Sequence, residues 1–356
     1  MLRKVVILFF INLFLLYSCV PRDSVFFGQK VVLRNDIPIS DTLEVEKIIE
    51  LDYELAQFNI SDSTLITWYN HEFHFLLNDL KTGELLGGMC RRGRGPDEFI
   101  SVMPRVDVRD NTVSLIDPIE NEYYEIDLAS TISKGQTQVS TTIHFESNRP
   151  GTIPFANVHK LPERRFMLYD FCYQTENQKT GLAEIPYYAI YNVETGKIEK
   201  TIYLGGPKCM RYLEKHTPGH GIMFYPFDCL STSGDKVAFV LMDFPVYGII
   251  DINKGEKKIY RISDLPDFED GVLRRHFSGI CTDGHNIYAL YHGRSRPAKD
   301  GATSFLYTFN WSGELIKKEV LAGIYNDIHY SEGNLYLSNQ TKNYLFKHLP
   351  RFWRIR

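Results

Sequence analysis

The sequence predicts an all-β fold: six four-stranded antiparallel blades set radially about one axis as a β-propeller, closed by an N-terminal strand. Three observations predict it. Short runs of strand formers follow turn signals starting at Leu65, Val113, Phe166, Val237, Ile287 and Leu335, an interval of about 50 residues that one long insertion stretches between the third and fourth. A second apolar or aromatic run follows each, as at Phe73 to Leu77, Tyr187 to Val193 and Tyr247 to Ile252. No helix-period crossover separates the units, which excludes a parallel sheet and leaves radial repetition of hairpins.

The elements follow in order. Arg3 and Lys4 precede an apolar run from Val5 to Tyr17, too short to span a bilayer and shaped as a cleaved secretory signal. The run ends in Leu16-Tyr17-Ser18-Cys19, which resembles a bacterial lipobox, so residues 1–18 are expected to be removed and Cys19 to become the lipid-bearing first residue. Residues 19–42 then read as tether and linker, 43–350 as one propeller and 351–356 as a tail. No later run of 18 apolar residues occurs. Acyl chains at Cys19 would bind a membrane by burying methylenes. The expected address is the cell envelope, at the outer membrane.

Turn chemistry sorts the loops. Lys81-Thr82-Gly83, Glu194-Thr195-Gly196, Asn253-Lys254-Gly255 and Trp311-Ser312-Gly313 place Gly where a tight hairpin needs positive φ. The sixth unit runs out of chain after Tyr344 to Phe346, with Pro350 close behind, so it lacks an outermost strand. Residues near 43 to 53 alternate apolar Leu43, Val45, Ile49 and Leu51 with Glu44, Glu46 and Glu50, and are expected to fill that vacancy. In a four-stranded blade, the first-to-second and third-to-fourth turns share one face. The Gly turns fall there. The long inserts, 91–102, 171–186, 205–225, 263–277 and 292–304, fall on the other.

Those inserts carry the candidate site. Arg92, Arg94, Arg211, Arg274, Arg275, His276, Arg294 and Arg296 would surround one mouth of the propeller with cations, and Arg suits carboxylate or phosphate because its planar fork pairs with both. The expected partner is an acidic small ligand, a glycan, a peptide or a protein. Nucleic acid is not expected, because the formal net charge is −4 and its binding rests on neutralising phosphates. Beyond Cys19, five cysteines make no C-x-x-C pair and read as buried thiols, with one bridge between Cys209 and Cys229 as the alternative.

Arg92-Gly93-Arg94-Gly95-Pro96-Asp97-Glu98-Phe99 resembles the G-x-G-P-G-E-F signature of the six-bladed, TolB-like propeller lipoproteins of Bacteroidetes. The resemblance implies an envelope lipoprotein and a propeller fold, and it implies no reaction. Asp97 stands where that family has Gly. If the position needs positive φ, Asp is among the less costly replacements.

Catalytic signatures are sparse. His216 and His220 are four apart, but Pro218 and Gly219 forbid the helix that would align them. Asp117 and Asp170 close equivalent strands and would hold Ca²⁺ or another divalent metal if they converged on the axis. No cofactor is otherwise implied. Two classes of function emerge: a binding or interaction module working by shape and charge, and a lactonase-like hydrolase or lyase with a metal near the axis.

Overall fold

The computed structural model describes residues 26–34, 37–145, 157–170, 187–206, 225–265, 274–295, 303–339 and 343–348. The N-terminal stretch contributes β1 (Val32–Leu33), β2 (Asp41–Leu43) and β3 (Val45–Glu50). Blade one comprises β4 (Phe58–Ser61), β5 (Thr64–Trp68), β6 (Phe73–Asp79) and β7 (Leu85–Arg91). Blade two comprises β8 (Asp107–Arg109), β9 (Thr112–Asp117), β10 (Glu122–Asp127) and β11 (Val139–His144), with the helix α1 (Leu128–Lys134) before its last strand. Blade three has β12 (Asn157–Leu161), β13 (Arg165–Asp170), β14 (Tyr187–Asn192) and β15 (Lys197–Tyr203). Blade four has β16 (Pro226–Leu230), β17 (Lys236–Leu241), β18 (Val246–Asp251) and β19 (Glu256–Arg261). Blade five has β20 (Arg274–Thr282), β21 (Asn286–Ser295), β22 (Ser304–Asn310) and β23 (Leu315–Leu321). Blade six has β24 (Tyr325–Ser331), β25 (Asn334–Asn339) and β26 (Tyr344–His348).

The chain is a six-bladed propeller. The runs starting at Leu65, Val113, Phe166, Val237, Ile287 and Leu335 are the second strands of the six blades, from β5 to β25, and the runs that follow them are third strands. The vacancy in blade six is filled as expected: β3 pairs antiparallel with β26, from Tyr344 opposite Glu50 to His348 opposite Val45. Closure is also visible in the packing. Six apolar clusters lie between successive blades, and the one joining blade six to blade one contains Ile49 and Leu345 with Leu65.

The turns behave as their residues dictate. At the end of the third strand an Asp or Asn side chain caps the turn: Asp79 accepts from the Lys81 and Thr82 amides, Asn192 from Glu194 and Thr195, and Asp251 from Lys254. Gly313 has φ 82°, and a Cβ there would lie 2.3 Å from the Tyr260 ring. That glycine lets two neighbouring blades touch, because Tyr247 donates to its carbonyl and Tyr260 to that of Ser312, each at 3.0 Å.

Part of the segment read as tether is folded onto the propeller. Phe26 and Phe27 are fully buried between blades three and four and pack edge-on against Phe244. β1 then pairs parallel with β19, and β2 parallel with β23, adding a fifth strand to blades four and five. The sequence signal for strands of two or three residues is too short to read. They form because outer strands present open edges that a passing chain can satisfy. Among the described residues, no helix is long and apolar enough to cross a membrane.

Candidate functional site in the axial channel

The innermost strand of each blade, β4, β8, β12, β16, β20 or β24, lines the axis, and together they enclose a channel of about 520 Å³. Alternation makes it polar. Phe58 and Ile60, Val108, Val158, Phe227 and Ile328 enter the apolar clusters between blades. Their neighbours Asn59, Asp107, Arg109, Asn157, His159, Asp228, Asp327 and His329 bring polar groups to the channel, which Phe58, Ile60, Val108, Val158 and Ile328 also border. Lining residues continue into the turns after the inner strands at Asp62, Asp110 and Thr232, so the channel reaches the short-turn face.

Two clusters occupy it. Asp228 of blade four accepts from His159 Nε2 at 3.1 Å, from Asn157 Nδ2 at 3.3 Å and from the Tyr188 hydroxyl, the last three groups all from blade three. Burial alone would raise the Asp228 carboxyl, but the His159 charge and these hydrogen bonds outweigh it and hold it below the ordinary range. Burial likewise pulls the His159 imidazole down, yet the carboxylate beside it leaves the ring above its ordinary value. Asn157 Oδ1 and His159 Nδ1 find no hydrogen-bond partner among the described residues.

The second cluster crosses the axis. Arg105, on the approach to β8, places its guanidinium 4.2 Å from the Phe227 ring centroid of blade four and 4.0 Å from Asp327 of blade six. Its Nε is buried with no partner among the described residues. Burial pushes Asp327 up to about 6, against the pull of Arg105 and the Ile328 and Phe58 amides. His329 next to it is pushed down to about 4 by burial.

These shifts set a pH dependence. Asp228 contributes stability that is present above the ordinary Asp value of 3.8 and is lost as pH falls through its folded value. His159 contributes stability that is complete below 6.5 and is lost as pH rises through its folded value. Between 4 and 6, stability falls with pH through Asp327 and rises through His329, so those two oppose each other. Above 6.5, His159 is the member of the cluster still titrating. The urea midpoint is therefore expected to fall as pH rises from 6.5 toward 8, and His159→Gln is expected to abolish that fall; a slope unchanged in the variant would remove the assignment.

Of the eight residues expected at the mouth, Arg92, Arg94, Arg275 and His276 have described side chains. Arg92 and Arg94 lie in the loop after β7, where Arg92 donates to the Asn70 carbonyl at 3.0 Å. That loop is braced by Glu98, which accepts from the Gly95 amide at 2.8 Å, and anchored by buried Phe99; Asp97 has φ 64°, the conformation for which the resemblance uses Gly. Arg275 is half-buried, with its guanidinium 4.0 Å from Met242 Sδ, and register sets it opposite Arg294. His276 is buried rather than at the mouth, its ring facing the Tyr291 hydroxyl at 3.3 Å. Arg274 and Arg294 belong to β20 and β21 and Asp170 to β13, with side chains outside the described residues; Cys19, Arg211, His216, His220 and Arg296 lie outside them altogether.

Asp117 does not reach the axis. It ends a second strand, whereas first strands line the channel, and its carboxylate accepts from the amides of Ser101, Ile119 and Glu120. Among the described residues, no group of three or more His, Cys, Asp or Glu side chains is placed to hold a metal. Cys90, Cys229 and Cys281 are free thiols.

No family model matches the chain. No curated protein matches it either. Solved structures do. A DUF4221 family member from Bacteroides vulgatus overlays with a TM-score of 0.54 at 12% identity, covering 86% of this chain and 97% of that one. A Bacteroides fragilis protein thought to be exported overlays with a TM-score of 0.51 at 10% identity, covering 89% and 98%. A streptogramin B lyase overlays at 0.42, with 12% identity and coverage of 86% and 97%, too loosely to bear on chemistry. At these identities the likeness establishes the propeller fold alone.

Proposed function

We propose that the protein is a lipid-anchored propeller of the bacterial cell envelope that acts as a binding module, with its ligand held in the axial channel. The envelope address is supported by the signal-like residues 1–18 and the lipobox-like Cys19, and by the Bacteroides fragilis neighbour thought to be exported. The observation that carries the binding reading is Asp228 with Asn157 and His159. One carboxylate gathers Asn157, His159 and Tyr188 from the adjacent blade, and the first two, which line the channel, each keep a buried polar atom unmatched. Buried polar atoms left without partners are costly, so a ligand that satisfies them gains affinity.

An acidic ligand at the insert-bearing mouth is supported by one observation, the register that sets Arg275 opposite Arg294. A small-molecule panel followed by hydrogen exchange tests the choice. Protection is expected at Asn157–Leu161 and Pro226–Leu230, and protection confined to Arg274–Thr282 would move the site to the mouth. Cys19→Ser is expected to release the protein from the membrane fraction; retention there would remove the anchor.

A further inference from the structure

The charge and hydrogen-bonding state of the channel define a ligand class, an inference that rests on the channel being the binding site. Its lining carries the carboxylates of Asp62, Asp107, Asp110, Asp228 and Asp327 against the guanidinium groups of Arg105 and Arg109. An acidic ligand would enter against that excess of like charge. The deep carboxylates are already engaged. Asp107 pairs with Arg109 at 2.9 Å, Asp228 holds its blade-three partners, and Asp327 accepts the Ile328 amide at 2.9 Å. A ligand ammonium below the rim would therefore share each carboxylate with partners already drawing on its charge.

The unmatched atoms call for a different chemistry. Asn157 Oδ1 can only accept and Arg105 Nε can only donate. His159, which lines the channel, bonds Asp228 through Nε2 and keeps a buried, unmatched Nδ1 that donates when the ring is charged. Asn157 is 5% exposed and His159 8%, so their unmatched atoms are deep wall groups and not rim groups. A hydroxyl both donates and accepts, so a ring bearing several hydroxyls offers a donor for Asn157 and an acceptor for Arg105, both of which line the channel, without bringing a charge into a buried site. Nearer the turn face the Thr232 hydroxyl also borders the channel, while those of Ser61 and Thr282 are engaged within the protein. The volume lies within the roughly 300–1,000 Å³ of small-molecule sites.

We propose that the channel takes an uncharged, hydroxyl-rich ring: a neutral sugar unit. Isothermal titration of the full chain with glucose, mannose and N-acetylglucosamine, beside glucuronate and glucosamine, tests it. At least one neutral sugar is expected to bind, with the charged sugars tenfold or more weaker, and Asn157→Ala is expected to weaken the neutral sugar by about tenfold. The Asn157 bonds to Asp228 are long, 3.3 and 3.4 Å, so the urea midpoint of that variant should move little. His159→Gln supplies a second variant that keeps a polar group in place. Neutral-sugar binding untouched by both substitutions would overturn the channel as the site. Glucuronate or glucosamine binding more tightly than any neutral sugar, and weakened by the same substitutions, would keep the channel and overturn the ligand class. No heat with any probe up to about 20 mM, the weak end of specific sugar recognition, would overturn the proposal.

Discussion

Deleting residues 43–53 is expected to abolish the cooperative unfolding transition at 37 °C, not merely to lower its midpoint. The deletion removes β3, the strand that pairs with the outer edge of β26. It also removes Leu43, Ile49 and Leu51, each only 4% exposed. Truncating one such side chain costs about 2–5 kcal/mol, so three together approach the roughly 5–15 kcal/mol that holds a whole domain folded. Near-UV circular dichroism during a thermal ramp reads the result directly. Added peptide spanning 41–53 is expected to restore part of the signal by reoccupying the open edge. A deletion variant that melts within a few degrees of the intact chain would mean the ring closes without β3.

Asp228→Ala is the single substitution expected to cost most. It strips the counter-charge from a buried imidazole and leaves the Tyr188 hydroxyl and the Asn157 amide without their acceptor. Removing one partner of a buried charged pair costs about 3–5 kcal/mol, because the other is left uncompensated. Asp228→Asn separates shape from charge: it keeps an acceptor and is expected to cost clearly less. In that variant His159, titrated by NMR, is expected to drop below its value in the intact protein, since the carboxylate that raises it is gone. A cost for Asp228→Ala under about 1 kcal/mol, the level of an ordinary neutral hydrogen bond, would contradict the cluster as drawn.

The fold was legible in the sequence because its strongest signal is local and repeated. Each second strand is buried on both faces, so its run is apolar, and Asp79, Asn192, Asp251 and Asn310 mark the turns that follow the third strands. The missing strand of blade six could be counted, and its alternating replacement lay near the start of the chain. The axial cluster was hidden for the opposite reason. Arg105, Asn157, His159, Asp228 and Asp327 come from four places more than two hundred residues apart end to end, with Asn157 and His159 sharing β12 and Arg105 lying just before β8. A signal did exist. Asp107-Val108-Arg109, Asn157-Val158-His159 and Asp327-Ile328-His329 alternate polar with apolar in strands that have no solvent-facing side, and in a radial sheet such strands face the axis. Asp117 and Asp170 were candidates because they end second strands at the expected face. Second strands lie one layer away from the axis, which is why Asp117 caps a turn instead.

The amino-terminal stretch also determines how the molecule bears tension. Phe26 and Phe27 are lodged in the apolar seam between blades three and four, upstream of every strand the stretch contributes, and the Gly206 amide grips the Phe26 carbonyl at 2.6 Å. A pull applied upstream of Phe26 is therefore taken up by two aromatic plugs before it reaches β1, β2 or β3. The clasp that shuts the ring sits downstream of that contact, so such a pull would be spent on blades three and four while blade six stays fastened.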